Sequence, residues 1–441
     1  MVTDGQGTAV VIGGGLAGCL AAVALADRLD RVVVLERDRY PADPVCRPGT
    51  PQGHHAHLLL EGGRRALQSL LPGLDEELRL LGAVRVPVPS GMRWLSPWGW
   101  LPSFSSDLAF TSCTRPVLDA AVRRRAAAEP AVEFRPGTEV VGLLGGPAGV
   151  TGVRTRPRGQ DRDRIEQVPA ALVVDASGRS SGLAQWLPQI GCRAAPEEKV
   201  DAGIAYCSRL FRRPAEVDPA RTVVYLQAKA PGQPRLGVLL PVEGGRWIVS
   251  LGGMRGAEPA GGEKGFREHL DRLRDPALRE ALAGAEPDGD VRGFRPGASI
   301  RRRYERSAPE GLVVLGDAAC TFNPVYGQGM SIAALGALAL RDTVRERGLA
   351  PGTARRAQRR VAAAGRDAWV MSSGEDVRFP DTVGGPSGAL VRLQHRYLDR
   401  VIARSCQDEA VCATFTEVMS LVAPPSALLR PGTAWPVLTG R

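Results

Sequence analysis

The sequence predicts an α/β protein in which a Rossmann-like domain is combined with an antiparallel-sheet domain and a helical C-terminal region. Three observations lead to this prediction. A glycine-rich turn separates two short apolar runs near the N-terminus, two further apolar runs flank Glu243-Gly244-Gly245, and the chain beyond about residue 345 has a helical pattern. At 441 residues the chain is long enough for two or more domains.

The stretch TAVVIGGGLAGCLAAVALADRLDRVVVLERD, residues 8–38, predicts a strand, a helix and a second strand. Gly13, Gly15 and Gly18 have the G-x-G-x-x-G spacing, which permits a tight turn, close approach of a pyrophosphate and close packing of helix on strand. Glu36 ends the second strand, near the position of the acid that binds a ribose hydroxyl. This acid favours FAD or NAD over a 2′-phosphorylated cofactor, and it does not separate the two.

Two later stretches place an acid and a glycine after a strand. ALVVDASGRSS has Asp175 after its apolar run, and GLVVLGDAACTFNPVYGQGMSIAALGALAL has Gly316 and Asp317. The second stretch continues into a Pro/Gly loop and an Ala-rich helix from about Ser331, whose first amides can hold an anionic group. Each stretch alone is also compatible with an ordinary strand-to-helix turn. Together with the N-terminal motif they predict one nucleotide site.

These three motifs resemble those of the FAD-dependent monooxygenases with the para-hydroxybenzoate hydroxylase fold. CRPGTPQGHHAHLLL, RRRYERSAPEGLVVLGDAACTFNPVYGQGM and LVAPPSALLRPGTAW resemble the squalene-epoxidase-like branch, and within it the bacterial epoxidases that oxidise polyene polyketides toward polyether ionophores. The resemblance extends from about residue 8 to about 435. It implies FAD as cofactor, O2 as co-substrate, and NAD(P)H or a separate flavin reductase as electron source. No second G-x-G-x-x-G follows a strand, so a separate nicotinamide domain is not expected.

The resemblance also implies roles for individual residues. Asp317 is expected to contact ribityl or ribose hydroxyls, and the amides near Gly327 and Gly329 are expected to face the flavin pyrimidine edge. Arg115, in SCTRPVLDAAV, is expected to meet the phosphates or ribityl chain, the alternative being a surface arginine at a helix start, and Arg47 is expected to lie close to the flavin. The predicted cofactor-binding residues are Gly13, Gly15, Gly18, Glu36, Arg37, Arg47, Arg115, Asp175, Gly316, Asp317, Pro324, Gly327, Gly329 and Met330.

The loop PQGHHAHLLL, residues 51–60, contains three of the five histidines, His54, His55 and His57. After the second strand of this fold, it is expected to pass beside the flavin ring. The histidines then pack against or hydrogen-bond to the flavin, or they bind backbone groups. A metal would need His55 and His57 on one face and a third ligand, which no nearby residue supplies, so no metal is expected. No catalytic residue is assigned, and a catalytic role for His55 or His57 is a hypothesis.

The segment GMRWLSPWGWLPSF is rich in tryptophan although the whole chain is only 5% aromatic. Trp94, Trp98, Trp100 and Phe104 are predicted to form the wall of a pocket for a large apolar substrate, the alternative being a core hairpin. WGWLP also invites comparison with the W-x-W-x-I-P motif of flavin-dependent halogenases. It is one residue short, and no lysine precedes Lys199 to carry a halogen.

The motifs divide the chain into alternating segments. A helical stretch is expected over about 262–284, and Pro-rich coil near 423–437. The predicted segments are 1–75 (FAD-binding, first βαβ part), 76–110 (excursion into the substrate domain), 111–190 (FAD-binding, second part), 191–297 (substrate-binding antiparallel sheet), 298–345 (FAD-binding, third part) and 346–441 (helical region).

Composition indicates where the protein works. The net charge of +10 comes from scattered arginines without interleaved aromatic residues, so nucleic acid is not expected as a partner. Eight cysteines without a C-x-x-C motif indicate reduced thiols. The N-terminus lacks a signal-peptide pattern and no apolar run is long enough for a membrane span, so the protein is expected in the cytoplasm without stable membrane insertion.

The leading functional prediction is epoxidation of an alkene in a large apolar polyketide or terpenoid intermediate through a flavin C4a-hydroperoxide. The expected partners are this apolar substrate and, if electrons arrive from outside, a flavin reductase. An aromatic or polyketide hydroxylase is the first alternative. A prenyl-chain reductase, which uses no O2, and a flavin-binding protein without turnover are the others.

Overall fold

The computed structural model describes residues 7–159 and 164–439. In chain order, the first eleven strands are β1 (Thr8–Ile12), β2 (Arg31–Glu36), β3 (Val84–Pro87), β4 (Met92–Ser96), β5 (Gly99–Trp100), β6 (Ala109–Ser112), β7 (Val132–Pro136), β8 (Thr138–Gly146), β9 (Gly149–Pro157), β10 (Glu166–Pro169) and β11 (Leu172–Asp175). The others are β12 (Glu197–Asp201), β13 (Ala205–Arg212), β14 (Val223–Leu226), β15 (Arg235–Val242), β16 (Arg246–Gly253), β17 (Glu286–Phe294), β18 (Ser299–Arg302), β19 (Leu312–Val314), β20 (Cys320–Thr321) and β21 (Val383–Gly384).

The α-helices are α1 (Leu16–Ala26), α2 (Glu61–Leu70), α3 (Leu74–Leu80), α4 (Arg115–Ala127), α5 (Leu183–Gln189), α6 (Gly262–Asp271) and α7 (Ala277–Ala281). They are followed by α8 (Tyr304–Ser307), α9 (Gly329–Arg347), α10 (Thr353–Ala364), α11 (Arg366–Asp376), α12 (Ala389–Ser405), α13 (Glu409–Met419) and α14 (Pro431–Thr439).

A five-stranded parallel sheet has the order β19-β11-β1-β2-β7. Its strands are continuous Val/Ile/Leu runs because both faces are covered. Val11 belongs to the core cluster that contains α1, whereas Val10 belongs to the cluster on the opposite face with Leu183 and Leu187. Ile12 lies opposite both Leu35 and Asp175, so the carboxyl ends of three central strands meet at one edge. The predicted Rossmann-like α/β domain is confirmed.

A seven-stranded sheet forms the second large unit, in the order β17-β13-β16-β15-β14-β4-β5. Its hairpin β15–β16 turns at Gly244 and Gly245, whose φ values of +72° and +65° suit a tight hairpin turn. The pairing of β14 with β4 is parallel, while the remaining pairs are antiparallel. The predicted antiparallel-sheet domain is therefore present, and residues from before β6 extend it.

Three smaller sheets complete the strand structure of the described residues. They have the orders β10-β9-β8, β20-β18-β12-β21 and β3-β6. The second of these joins residues near 200, 300, 320 and 384, and so connects the segment between α11 and α12 to the loop after β19.

The C-terminal region is helical, as predicted, from α10 to α14. α12, α13 and α14 pack around Trp94 in a cluster with Val401, Val411 and Phe415. The coil predicted near 423–437 is wrong over its second half, because α14 begins at Pro431, a residue tolerated in the first helical turn. Over the two described ranges, no helix combines the length and hydropathy needed to span a membrane.

Candidate cofactor site and adjoining cavity

The turn between β1 and α1 depends on its glycines. Gly13 has φ +94°, and a Cβ there would lie 2.8 Å from the Ala176 carbonyl oxygen. A Cβ at Gly18 would lie 1.8 Å from the Gly13 oxygen, so only glycine lets the helix pack this closely on the turn. At Gly15 a Cβ would meet only the Arg47 guanidinium, at 3.7 Å, so the helix start is open on that side.

Glu36 is buried at the end of β2 and connects this turn to the following loop. Its Oε2 accepts a hydrogen bond from the Gly14 N–H (2.8 Å) and its Oε1 accepts one from the Asp38 N–H (2.9 Å). Arg47 lies 3.1 Å from Glu36 Oε1 and 3.0 Å from Asp38 Oδ2. Burial disfavours the charged guanidinium, but Glu36 and Asp38 outweigh this effect and raise the pKa of Arg47.

Three arginines line a cleft between the loop after β2 and α4. Arg47, Arg115 and Arg123 all contribute to its wall. Arg115 is only 12% exposed and its Nε donates to Asp119 at 2.7 Å, so it is not a free surface arginine at a helix start. Arg47 and Arg123 also flank the Tyr40 ring, at 5.5 and 4.5 Å from its centroid. The structure thus brings together two of the three arginines predicted for the cofactor, Arg47 and Arg115, and adds Arg123, whereas Arg37 is not part of this cleft.

The two acids that follow β11 and β19 have different environments. Asp175 is fully buried, and its carboxylate accepts hydrogen bonds from the Ser177 N–H and from the hydroxyls of Ser177 and Ser181. Asp175 therefore stabilises the loop that follows β11. The Asp317 carboxylate accepts no hydrogen bond from any described residue. Burial raises the pKa of Asp317, and nearby arginines, Arg115 foremost, act in the opposite direction.

The loop before α9 provides a second open helix start. Gly327 adopts φ +65°, and a Cβ built at Gly329 would have no described residue within 4 Å other than its chain neighbours and its own helix backbone. Gln328 is buried, and its Oε1 has no hydrogen-bond partner among the described residues. Met330 is 7% exposed and packs into the core around α1, so its amide and not its side chain is available to a ligand. Arg37 lies on the exposed rim of the site.

These features fit FAD. α1 begins directly after β1, and the loop that leads to α9 follows β19 of the same parallel sheet, so both helix N-termini, which favour anions, come after the carboxyl ends of its strands. Open space at Gly15, Gly178 and Gly329 leaves room for a ligand against the backbone. The unpartnered Asp317 carboxylate and Gln328 Oε1 offer acceptors for hydroxyl and N–H groups.

A cavity of about 140 Å³ adjoins the loop before α9 and is lined mainly by apolar side chains. Its wall combines the seven-stranded sheet, the loop after the histidines and the end of α13. The lining residues are Ala56, Leu58, Leu60, Val88, Met92, Trp94, Phe110, Tyr206, Val223, Tyr225, Gln227, Leu236, Val238, Leu240, Ser250, Gly252, Pro324, Val325, Tyr326, Gly327, Met419 and Ser420.

Of the four aromatic residues predicted for the substrate pocket, the cavity wall contains Trp94. Trp98 lies at the tip of the β4–β5 hairpin, 49% exposed, with its Nε1 donating to Asp399. Trp100 pairs with Leu95 and shares its face of the sheet, opposite to that of Trp94, because neighbouring side chains of a strand alternate. Phe104 is half-buried outside this wall. The predicted cluster is therefore split by strand geometry.

The histidines are held by protein groups. His55 is 3% exposed, its Nδ1 lies 2.8 Å from Ser208 Oγ, and burial lowers its pKa to about 4. His57 donates from Nδ1 to the His55 carbonyl oxygen at 2.8 Å, and burial, assisted by Arg115, lowers its pKa to about 3. His54 is exposed. Both inner histidines are therefore neutral at pH 7, and no group of three or more metal-binding side chains occurs in residues 7–159 and 164–439.

Several polar residues of the cavity were not predicted from the sequence. Gln227 and Tyr225 both line it from β14 and its end, and Ser250 lines it from β16. Tyr326 also lines the cavity, and its hydroxyl donates to Asp376 on α11 at 2.8 Å. The only signal in the sequence was the alternation of VVYLQ, which places residues 223, 225 and 227 on one face.

Comparison with known proteins agrees with this arrangement. Family models described as FAD binding domains match residues 8–41 and 105–344, the latter more than half of the chain. Protein Rv3254 of Mycobacterium tuberculosis is 32% identical over 435 residues, which span 94% of this chain and 89% of that protein.

Solved structures share the fold at lower identity. The flavin-dependent brominase Bmp2 superposes with a TM-score of 0.71 at 16% identity, covering 98% of this chain and 97% of that one. The p-nitrophenol 4-monooxygenase PnpA from Pseudomonas putida DLL-E4 superposes with a TM-score of 0.66 at 17% identity, covering 96% and 99%. The chain thus belongs to the family defined by this FAD binding domain, and its fold is that of the FAD-dependent monooxygenases.

Proposed function

We propose that the protein is an FAD-dependent monooxygenase that epoxidises an alkene bond of a large apolar polyketide or terpenoid intermediate. The observation that supports this proposal is the apolar cavity against Pro324 and Gly327, in the loop that leads to the open start of α9. One atom of O2 enters the substrate, and the other leaves as water after two electrons arrive from NAD(P)H directly or through a flavin reductase.

When bound, FAD supplies the redox chemistry and the activation of O2. The chain supplies binding and placement. Gly13, Gly15 and the start of α1 fit the pyrophosphate, Glu36 fits an adenosine ribose, and Asp317 fits ribityl or ribose hydroxyls. Arg47 and Arg115 provide positive charge beside the phosphates. The apolar cavity wall excludes water from the reacting bond.

Epoxidation of an electron-rich alkene needs no side-chain base. This agrees with the cavity wall, because no Asp, Glu, Lys or His lines it among the described residues. We also propose a cytoplasmic location, which the free state of all eight cysteines supports.

Hydroxylation of a phenolic substrate is a second candidate, supported by one hydrogen-bonded chain. Ser250 Oγ, in the cavity wall, lies 2.5 Å from Ser208 Oγ, which in turn lies 2.8 Å from His55 Nδ1. This chain gives a substrate hydroxyl a route for its proton. The low pKa of His55, about 4, makes it a weak base, and this is why we rank epoxidation first.

A rapid-mixing experiment tests oxygen transfer. The FAD-loaded protein is reduced without oxygen and mixed with aerated buffer in the presence of polyenes or phenols. We expect a transient absorbance that differs from both reduced and oxidised flavin. With ¹⁸O2 we expect one labelled oxygen in the product of a polyene.

Two other outcomes of this experiment would favour a different reaction. A labelled phenol product with unreacted polyenes would favour the hydroxylase. Saturated product without label, formed under anaerobic conditions, would replace the proposal by a reductase.

A further inference from the structure

The cavity contains one amide whose orientation is fixed by the protein. Trp94 Nε1–H donates a hydrogen bond to Gln227 Oε1 at 3.1 Å. An indole N–H can only donate, so the atom of the amide that faces it must be the oxygen. The amide nitrogen of Gln227 is thereby directed away from Trp94, and none of the described residues accepts a hydrogen bond from it.

Both members of this pair are held in place. The Trp94 ring packs against Tyr225 and Phe415, with centroid distances of 5.6 Å to each. The backbone N–H of Gln227 donates to the Leu95 carbonyl oxygen at 3.0 Å, and its carbonyl oxygen accepts from Arg274 Nε at 3.1 Å. The amide is therefore presented by a rigid strand end and not by a mobile loop.

The surroundings of this amide are apolar. Leu236, Val238 and Leu240 line the same cavity from β15, and Met92 lines it from β4. An N–H donor that loses water in such a cavity without gaining an acceptor is costly. A ligand that brings an oxygen acceptor removes this cost, whereas a hydrocarbon does not.

Two other polar groups of the wall are already engaged. Ser250 Oγ accepts from the Ala56 N–H at 3.0 Å and contacts Ser208 Oγ. The Tyr326 hydroxyl uses its single hydrogen to bind Asp376 Oδ1. Gln227 thus differs from both, because its free atoms can only donate.

We propose that Gln227 is a substrate-binding residue whose amide nitrogen donates to a carbonyl oxygen of the substrate, with Trp94 as the residue that positions it. The substrate is then a largely apolar molecule with a carbonyl group, not a plain hydrocarbon. This inference refines the substrate class of the proposed monooxygenase and rests on that function for its biological meaning.

Binding of a matched pair of probes tests the assignment without turnover. Calorimetric titration of the FAD-loaded protein compares 2-acetylnaphthalene, which has a carbonyl, with 2-ethylnaphthalene, which has none. We expect the ketone to bind about tenfold more tightly. Gln227→Leu should abolish this preference and retain binding of the hydrocarbon, and the surface change Gln233→Leu should leave it intact.

Two further variants separate recognition from structural damage. Gln227→Glu keeps an acceptor for Trp94 but replaces the donor with an oxygen, so the ketone should lose its advantage. Trp94→Phe keeps the amide but frees its rotation, so the preference should decrease without disappearing. If Gln227→Leu does not fold, these two variants decide the question.

The inference is overturned if Gln227→Leu and Gln227→Glu keep the preference of the parent, or if neither probe binds the parent. Its failure is distinct from failure of the proposed function. If the Gln227 variants lose the ketone preference but the parent shows no transient species in the rapid-mixing experiment, the role of Gln227 in binding is supported and the monooxygenase proposal is rejected. If the parent shows the transient species and the Gln227 variants keep the ketone preference, the monooxygenase proposal is supported and the role of Gln227 is rejected.

Discussion

Glu36 combines three tasks in one carboxylate. It accepts hydrogen bonds from the amides of Gly14 and Asp38, it pairs with Arg47, and in the proposed function it also binds an adenosine ribose hydroxyl. A carboxylate offers about four acceptor positions, so one remains for a ribose hydroxyl. Glutamine at this position would supply one acceptor oxygen and would set an NH2 group against donors.

We therefore expect Glu36→Gln to raise the Kd for FAD at least tenfold, or about 1.4 kcal/mol. Fluorescence titration of FAD into the apoprotein measures this change. Glu133→Gln is the control, because Glu133 lies on β7 in an exposed pair with Arg31. Equal affinities for the two variants would exclude Glu36 from the site.

Asp376 makes the stability depend on pH. It is 1% exposed, its Oδ1 accepts from Asn323 and Tyr326, and its Oδ2 is buried without a hydrogen-bond partner among the described residues. Burial, with added repulsion from Glu375 and Asp201, raises its pKa from 3.8 to about 7. Through this window the folded state holds a proton that the unfolded state has lost, so stability falls as the pH rises toward 7.

Asp376→Asn should remove this dependence while keeping the acceptor for Asn323 and Tyr326. Relative to the parent, we expect the variant to gain at most ~3 kcal/mol in free energy of unfolding between about pH 5 and pH 8, because only the part of the shift between pH 5 and pH 7 falls in this range. Urea unfolding at both values measures the gain. Asp381→Asn changes an exposed residue and is the control, so it should show no such gain. If Asp376→Asn differs from the parent by the same free energy of unfolding at both pH values, the raised pKa of Asp376 is refuted.

Residue types alone did not distinguish the two acids that follow strands. Asp175 and Asp317 both come after short buried strands and before a glycine or serine loop. Only the folded chain shows that serines satisfy Asp175, whereas Asp317 is left with open oxygens near Arg115, Arg179 and Arg302. Ser177 and Ser181 are close to Asp175 in the sequence, whereas Arg115 and Arg179 lie more than 100 positions from Asp317, so the surroundings of Asp317 could not be predicted from its local sequence.

At the level of elements, the two helix starts of the cofactor site tolerate different changes. A Cβ at Gly18 would lie 1.8 Å from a backbone oxygen, so Gly18→Ala must shift the β1–α1 unit. Gly329 has open space around it and an ordinary φ, so Gly329→Ala is compatible with the fold.

We expect Gly18→Ala to lower the Tm of the apoprotein by several degrees and Gly329→Ala to leave it unchanged. Both should weaken FAD binding, the second because the new methyl group occupies ligand space. Calorimetry without and with FAD separates these effects. Gly432→Ala, in the exposed part of α14, should change neither quantity, and a Gly329→Ala variant with normal FAD affinity would remove α9 from the site.

Periodicity predicted the local elements but not their partners. The β1–α1–β2 unit and the β15–β16 hairpin follow from short patterns of apolar residues and glycines. The pairing of β4 with β14 joins segments about 130 residues apart, and β17 falls in a polar stretch, 286–294, without an alternating apolar signal. β17 forms a strand because it pairs with β13, whose own residues are largely apolar and buried.

On the scale of the whole molecule, the cavity is assembled by packing between the sheet and the C-terminal helices. Phe415 of α13 is 3% exposed and its ring lies 5.6 Å from that of Trp94. Phe415→Ala should lower the free energy of unfolding by about 3 kcal/mol, because it removes a buried ring and leaves a void. Urea unfolding followed by tryptophan fluorescence measures this loss.

The exposed change Leu393→Ala on α12 is the control and should cost less than about 0.5 kcal/mol. If both variants lose the same amount, the helices do not hold Trp94 as described. The same Phe415 variant should also weaken the ketone preference described above, since Trp94 orients Gln227.

The residues of the cavity wall are far apart in the sequence, so the ribosome synthesises them at widely separated times. Trp94 is synthesised long before its strand partner at 223–226, and Met419 and Ser420, which complete the wall, are synthesised later still. Until then, the growing polypeptide exposes an unfinished apolar surface of the kind that chaperones bind. The βαβ unit around Gly13 is contiguous in the sequence, so its strands and helix are synthesised together. Synthesis therefore completes the glycine-rich βαβ unit long before it completes the wall of the apolar cavity.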